Sequence, residues 1–266
     1  MKNSRYPNSL LFKVTSLNSA RYAYLLGTMH MICAKDFYIK PKVINALRKC
    51  DTYYMEVDLG NSDEMNAMAE SQASLRDLSE GLTEKESAQL QTVIQEATGV
   101  SAENIEEVSP LALINKLTME AMGCDDVKVP EIELVQIAFH LGLTTGGLET
   151  ALDQFHIAQK VFTGKEMLHQ LKGIKGYKDL FENIATAYHS ENLTELAALI
   201  TDKQFMSKRA YQTLVTSRNR KWAKRIPRLI EKGKPFIAIG AGHLPGDTGV
   251  IDLLRLQGFS VNPVYR

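Results

Sequence analysis

The chain has 266 residues, 31 basic and 31 acidic side chains, and a hydrophobic content of 44%. That length admits one large domain or two small ones with a substantial core, and the balanced charge gives no electrostatic reason to expect nucleic acid or an anionic membrane as the main partner. No apolar run approaches the ~20 residues that span a bilayer, and residues 1–7 lack the hydrophobic stretch of an export signal.

As written, the chain therefore reads as cytoplasmic. The globular pattern begins by Leu10, so a chain trimmed of a leader and working in the periplasm or outside the cell would read the same. Charge is uneven along it: residues 60–110 hold eleven acidic and two basic side chains, residues 203–234 eleven basic and one acidic. The expectation is of solvated faces, or of faces that dock on each other within the molecule. Cys33, Cys50 and Cys124 leave an odd thiol and lack metal-ligand spacing, so no disulfide framework is expected.

In chain order, 10–14 and 22–26 read as paired strands around a turn at 16–19, leading into Gly27-Thr28-Met29-His30. Pro41 sits where a first helical position tolerates it, and the apolar stripe Val43, Ile44, Leu47 and Cys50 returns the chain to a strand over 53–59. That β-α-β unit predicts a parallel pairing. Residues 62–127 show helical spacing and no convincing strand, which marks a helical insertion. A helix over 133–141, a strand over 144–148, and a second helical segment over about 151–232 with a loop at 172–178 follow. The strand 236–239, the helix 250–256 and the strand 260–264 complete one sheet shared by both ends of the chain, and nothing resembling a linker divides 1–266 into two domains.

Chemistry concentrates at strand ends. The apolar run 22–26 and the run 236–239 each lead into Gly-x-x-His, ending at His30 and His243, and the glycine is expected to allow the sharp turn. Ligands bind at the carboxyl edges of open α/β sheets, where two neutral imidazoles could share a transition metal. Carboxylates rarely sit on buried strands without a task, yet Glu56 and Asp58 interrupt one apolar run and Glu149 directly follows another. Two histidines with one or two glutamates suit Mn, Fe, Co or Zn, and a remaining glutamate could activate water. If 205–226 is one helix, Leu214, Arg218, Trp222 and Ile226 share a face, and the guanidinium there either pairs with Glu149 or Glu56, clamps a substrate oxygen, or reaches water. Asn219 is expected to point elsewhere. His140, His156, His169 and His189 lack paired carboxylates, and Gly-Ala-Gly-His lacks the third glycine of a dinucleotide loop and any P-loop lysine.

Leu26-Gly27-Thr28-Met29-His30, Met55-Glu56-Val57-Asp58, Gly147-Leu148-Glu149-Thr150 with Gln154, Arg218-Asn219 and Gly240-Ala241-Gly242-His243-Leu244-Pro245-Gly246 together resemble the TraB/GumN family, to which the Tiki metalloproteases are related. The resemblance runs nearly end to end. It implies an α/β fold with a central mixed β-sheet from two related halves and helical insertions. For the Tiki branch it implies divalent-metal-dependent peptide cleavage, with metal or catalytic roles falling on His30, His243, Glu56 and Glu149. Many members carry Gly-x-Asp before the Gly-Leu-Glu-Thr strand, whereas this chain reads Val129-Pro130-Glu131, which leaves no role assigned to an acid there. Members implicated in inhibiting peptide pheromone signalling mean that protease activity does not transfer automatically. The sequence thus supports a metal-dependent hydrolase acting on a peptide, with Glu149, Glu56 and Arg218 in the catalytic set. The alternatives are a non-catalytic protein that holds a peptide or small molecule in the same pocket, and a metal-free hydrolase using a histidine–glutamate pair. No pattern sets the oligomeric state.

Overall fold

The computed structural model describes residues 6–16, 20–99, 108–173, 176–203 and 206–266. The N-terminal part contains β1 (Leu11–Ser16), β2 (Tyr22–Thr28), the two-residue β3 (Ile32–Cys33), α1 (Pro41–Leu47) and β4 (Thr52–Met55). The insertion follows as α2 (Ser62–Ala73), α3 (Glu84–Thr98), α4 (Pro110–Met122) and β5 (Val127–Lys128). Next come α5 (Pro130–His140), β6 (Thr144–Gly147), α6 (Ala151–Val161), α7 (Gly164–Lys172), α8 (Tyr177–His189), α9 (Leu193–Ile200) and α10 (Lys208–Tyr211). A π-helical turn (Gln212–Thr216) leads into α11 (Ser217–Lys232), β7 (Pro235–Gly240), α12 (Val250–Leu256) and β8 (Phe259–Pro263).

Six strands form a mixed sheet in the order β6-β4-β7-β2-β1-β8. The first four run parallel, and β1 pairs antiparallel with both β2 and β8. Every residue of β7 is buried, as a central parallel strand covered on both faces requires. β2 and β4 are parallel as the β-α-β reading expects, but β7, from the far end of the chain, lies between them. Local pattern carries no information about such a distant intruder. The strand expected over 53–59 stops at Met55, and the helix expected from Glu133 starts at Pro130, whose fixed φ and missing N–H suit a first helical position. Of the expected turn at 16–19, residues 17–19 lie outside the described residues, as do 174–175 of the expected loop at 172–178.

One hydrophobic cluster fills the sheet and its flanking helices; a second joins Leu78, Leu90, Leu113, Leu117, Met167 and Leu171. The second cluster binds the insertion to α7, so α2, α4, α6 and α8 together roof the carboxyl edge of the parallel strands. Cys33 and Cys124 form a disulfide, contrary to expectation. Their separation of 91 residues and the odd cysteine count hide a pairing that only the fold creates, tying β3 to the end of α4.

Candidate active site

Because β6, β4, β7 and β2 are parallel neighbours, their carboxyl ends lie side by side, and each delivers one ionisable side chain. Glu149 follows β6, Glu56 follows β4, His243 closes a 3-10 turn after β7, and His30 stands just beyond β2. The ladder holds the first two in line: Leu148 N–H donates to Met55 O at 2.7 Å, and Glu149 N–H to Glu56 O at 2.9 Å.

Glu56 is the hub. Its Oε1 accepts the Gly240 N–H at 2.8 Å and faces the Nε2 atoms of both His30 and His243, each at 3.7 Å. The two imidazole nitrogens therefore lie within twice that distance of each other. Gly240 is not needed for an unusual backbone angle, since its φ is −50°. It is needed for space: a Cβ there would stand 3.0 Å from His30 Nε2, 3.3 Å from Glu56 Oε1 and 3.4 Å from His243 Cδ2. The sharp-turn role expected for this glycine is thus replaced by close approach.

Arg218 closes the cluster from above. Its Nη2 donates to both Glu56 Oε2 and Glu149 Oε1, and its Nε to Glu149 Oε1 at 2.9 Å. Its Nη1 donates to Leu214 O at 3.1 Å and lies 3.4 Å from His243 Nε2, while the guanidinium stacks 4.6 Å above Trp222. With only 9% of its side chain exposed, it takes the ion-paired arrangement, with both carboxylates rather than one. Of the helix expected over 205–226, residue 205 lies outside the described residues; the described helix begins at Lys208 and is interrupted by the π turn, a distortion frequent at functional sites. Gln154 Nε2 adds hydrogen bonds to Glu149 Oε1 at 3.0 Å and Glu56 Oε2 at 3.4 Å.

Two residues join the cluster that the sequence did not assign to it. Asn219, expected to point elsewhere, is fully buried: its Nδ2 donates to the carbonyls of His243 and Thr248, so its Oδ1 accepts from His243 Nδ1 at 2.6 Å. That fixes the tautomer and turns the His243 Nε2 lone pair toward Glu56 and Arg218. Glu131, in the first turn of α5, lies 2.8 Å from His30 Nδ1 through Oε1, which also accepts from Thr28 Oγ1 at 2.7 Å. Its Oε2 is buried without a hydrogen-bond partner among the described residues. The chain's departure from Gly-x-Asp thus still places an acid on the first histidine. The bare signal available was an acidic residue next to a helix-opening proline.

Electrostatics divide the two histidines. Burial pushes His243 down to about 3, and the neighbouring charges of Arg218 and His30 oppose its protonation further despite Glu56, so at neutral pH it is neutral. The protein around His30 also disfavours charge, but Glu131 and Glu56 outweigh it and lift the imidazole to about 9. Burial alone would raise Glu56; Arg218, the two histidines and the Gly240 N–H instead hold it below the usual carboxylate range. Among the described residues no group of three or more His, Cys, Asp or Glu side chains is arranged to hold a metal ion. Of the other histidines, His140 and His169 bond backbone carbonyls and His189 stacks on Tyr38.

Two cavities open onto the cluster and share His30, one reaching Glu56 and Arg218, the other His243. Among the described residues no helix is long and apolar enough to cross a membrane.

The chain is 24% identical over 298 aligned residues to Metalloprotease TIKI2 of Xenopus tropicalis, covering 90% of this chain and 57% of that protein. It is 25% identical over 182 residues to Metalloprotease TIKI2 of Danio rerio, covering 57% of this chain and 35% of that protein. The chain thus spans between a third and three-fifths of the length of these curated relatives. No solved structure matches significantly. The family model described as the TraB/PrgY/gumN family matches residues 10–263, and the chain belongs to that family.

Proposed function

We propose that this protein is a divalent-metal-dependent hydrolase that cleaves peptide bonds, with His30, His243 and Glu56 as the groups that would hold the ion. The observation that carries the reading is the pair of Nε2 atoms, both 3.7 Å from one oxygen of Glu56. Donors on a tetrahedral ion with bonds of ~2.1 Å stand about 3.4 Å apart, a spacing that each histidine nearly meets against Glu56 Oε1. Each ring is also held at its far nitrogen, by Glu131 and by Asn219, as metal-binding histidines are in general. Charge points the same way: three carboxylates (Glu56, Glu131, Glu149) stand against one guanidinium and the protonated His30, a formal −1 that favours a cation. The donor chemistry favours Mn, Co, Zn or Fe over Ca or Mg.

A bound ion would supply an acidified water and polarise a carbonyl. The chain's own residues do the rest. Glu149, held through Oε1 by Arg218 and Gln154, is assigned as the base that takes the water proton, with Glu56 as the second choice. Arg218 screens the carboxylates and presents a fixed positive charge where negative charge develops on the substrate. The similarity to proteins named as metalloproteases supports peptide as the substrate class. The Cys33–Cys124 bond supports an oxidising compartment, the periplasm or the cell exterior, over the cytoplasm. One domain over 1–266 and an unassigned oligomeric state complete the reading.

Elemental analysis and a peptide library with each divalent ion, read by mass spectrometry, test it. Metal should bind and cleavage should require it. His30→Ala and His243→Ala should lose both, and Glu149→Gln should keep metal while losing about 10²–10⁴-fold in turnover. Cleavage that survives chelation, or peptide retention without cleavage, overturns the reading in favour of a metal-free hydrolase or a binding protein.

A further inference from the structure

Resting on that hydrolase reading, we infer that the substrate is an extended polypeptide segment with bulky apolar side chains on both sides of the scissile bond. The cavity on the His243 side, about 910 Å³ of open space, is walled by Met29, Met31, Met122, Phe181, Ile184 and Ile200. The cavity on the Arg218 side, about 780 Å³, is walled by Met68, Leu111, Phe155, Ile157, Phe162 and Leu214. The two cavities meet at His30, so open apolar space lies on both sides of the reacting centre. A small molecule needs one such pocket, whereas a chain passing through needs two.

The second cavity does not end near the site. It shares Ser71, Leu111, Phe155 and Phe162 with a further cavity that reaches Leu75, which is 60% exposed. The groove therefore leads outward between α2, α4 and α6 to solvent, as an internal cut in a longer chain demands. Its chemistry also excludes some side chains. Apart from the site residues His30, Glu56, Arg218 and His243, no described residue lining the two cavities is charged, so a charged flanking residue would be desolvated without a partner. The methionines bend to fit different shapes, so the preference is for apolar bulk rather than for one residue type.

The test is a peptide library with every residue represented at each position, incubated with the metal-loaded protein. Cleavage products are read by mass spectrometry, and intact peptides retained by the metal-free protein are read in parallel. Leu, Ile, Met or Phe should exceed Ala and Asp by about tenfold or more at the positions on both sides of the cut. Ile184→Glu and Leu111→Glu should each move the preference toward Lys or Arg on one side only. If either variant fails to fold, the wild-type profile alone decides. Cleavage without apolar preference on both sides overturns this inference and leaves the hydrolase reading intact. No cleavage, with apolar-flanked peptides retained, overturns the hydrolase reading and keeps the groove assignment; neither cleavage nor selective retention overturns both.

Discussion

Replacing Arg218 by alanine would leave Glu56 and Glu149, each with less than a tenth of its side chain exposed, without the cation that both share. Removing one partner of a buried ion pair costs roughly 3–5 kcal/mol, against under about 1 kcal/mol for an exposed pair. Here one guanidinium serves two carboxylates and stacks on Trp222 at 4.6 Å, which puts the expected loss in the upper half of that range. With a urea slope near ~3 kcal/mol/M, the midpoint should fall by about 1.3–1.7 M. Melts should be run with a chelator so that bound metal does not compensate. Acid supplies a second check. Glu56 is held below its ordinary range, so its contribution is present above the unfolded pKa of ~4.3 and is lost as pH falls toward the folded value. Without Arg218 that contribution is largely absent, so the gap between wild type and variant should narrow below about pH 4. A loss under ~1 kcal/mol at pH 7, or a gap that does not change with pH, refutes the buried-triad argument.

Two further outcomes follow from the geometry. Gly240→Ala would place a methyl group 3.0 Å from His30 Nε2 and 3.3 Å from Glu56 Oε1, so metal binding measured by calorimetry should fall at least tenfold while the circular dichroism spectrum is retained; unchanged affinity would mean that ions bind elsewhere. Glu131→Gln should drop the His30 imidazole, followed by NMR in chelated protein, from about 9 toward the ordinary ~6.5. Because the folded value is raised, the wild-type stabilisation from this pair is complete below about pH 6.5 and disappears as pH rises through about 9, and the variant should lack that alkaline decline.

The strands of the sheet were legible because each rests on local periodicity, β7 being an unbroken apolar run, and Pro41 opens α1; the mixed character of the sheet came from the family resemblance. His30, His243, Glu56, Glu149 and Arg218 stood out because polar groups at the ends of apolar runs, or on an apolar helix face, are costly without a purpose. What was missed is nonlocal. The insertion of β7 between β2 and β4 joins segments from opposite ends of the chain. Glu131 reads as an ordinary first-turn acid favoured by the helix dipole, and only the approach of β2 brings Thr28 and His30 to it. Asn219 sits a third of a turn from Arg218 and would face solvent on an isolated helix; it is buried because the turn after β7 and Thr248 cover that side too. Two-residue strands such as β3 and β5 are too short to show any period.

The bond between Cys33 and Cys124 bears on how long the roof stays in place. A cross-link between residues 91 apart removes loop-closure entropy from the unfolded chain worth about 4–5 kcal/mol in the chain-entropy account. Everything enclosed by that loop, α1 and β4 through the whole of α2 to α4, contains both Glu56 and one wall of the groove. The ladder beside the bond has only two residue pairs, too few to hold strands together unaided. Oxidation therefore converts the departure of this roof from a local opening, open to fraying at its weakest seam, into an event coupled to the unfolding of the sheet beneath it.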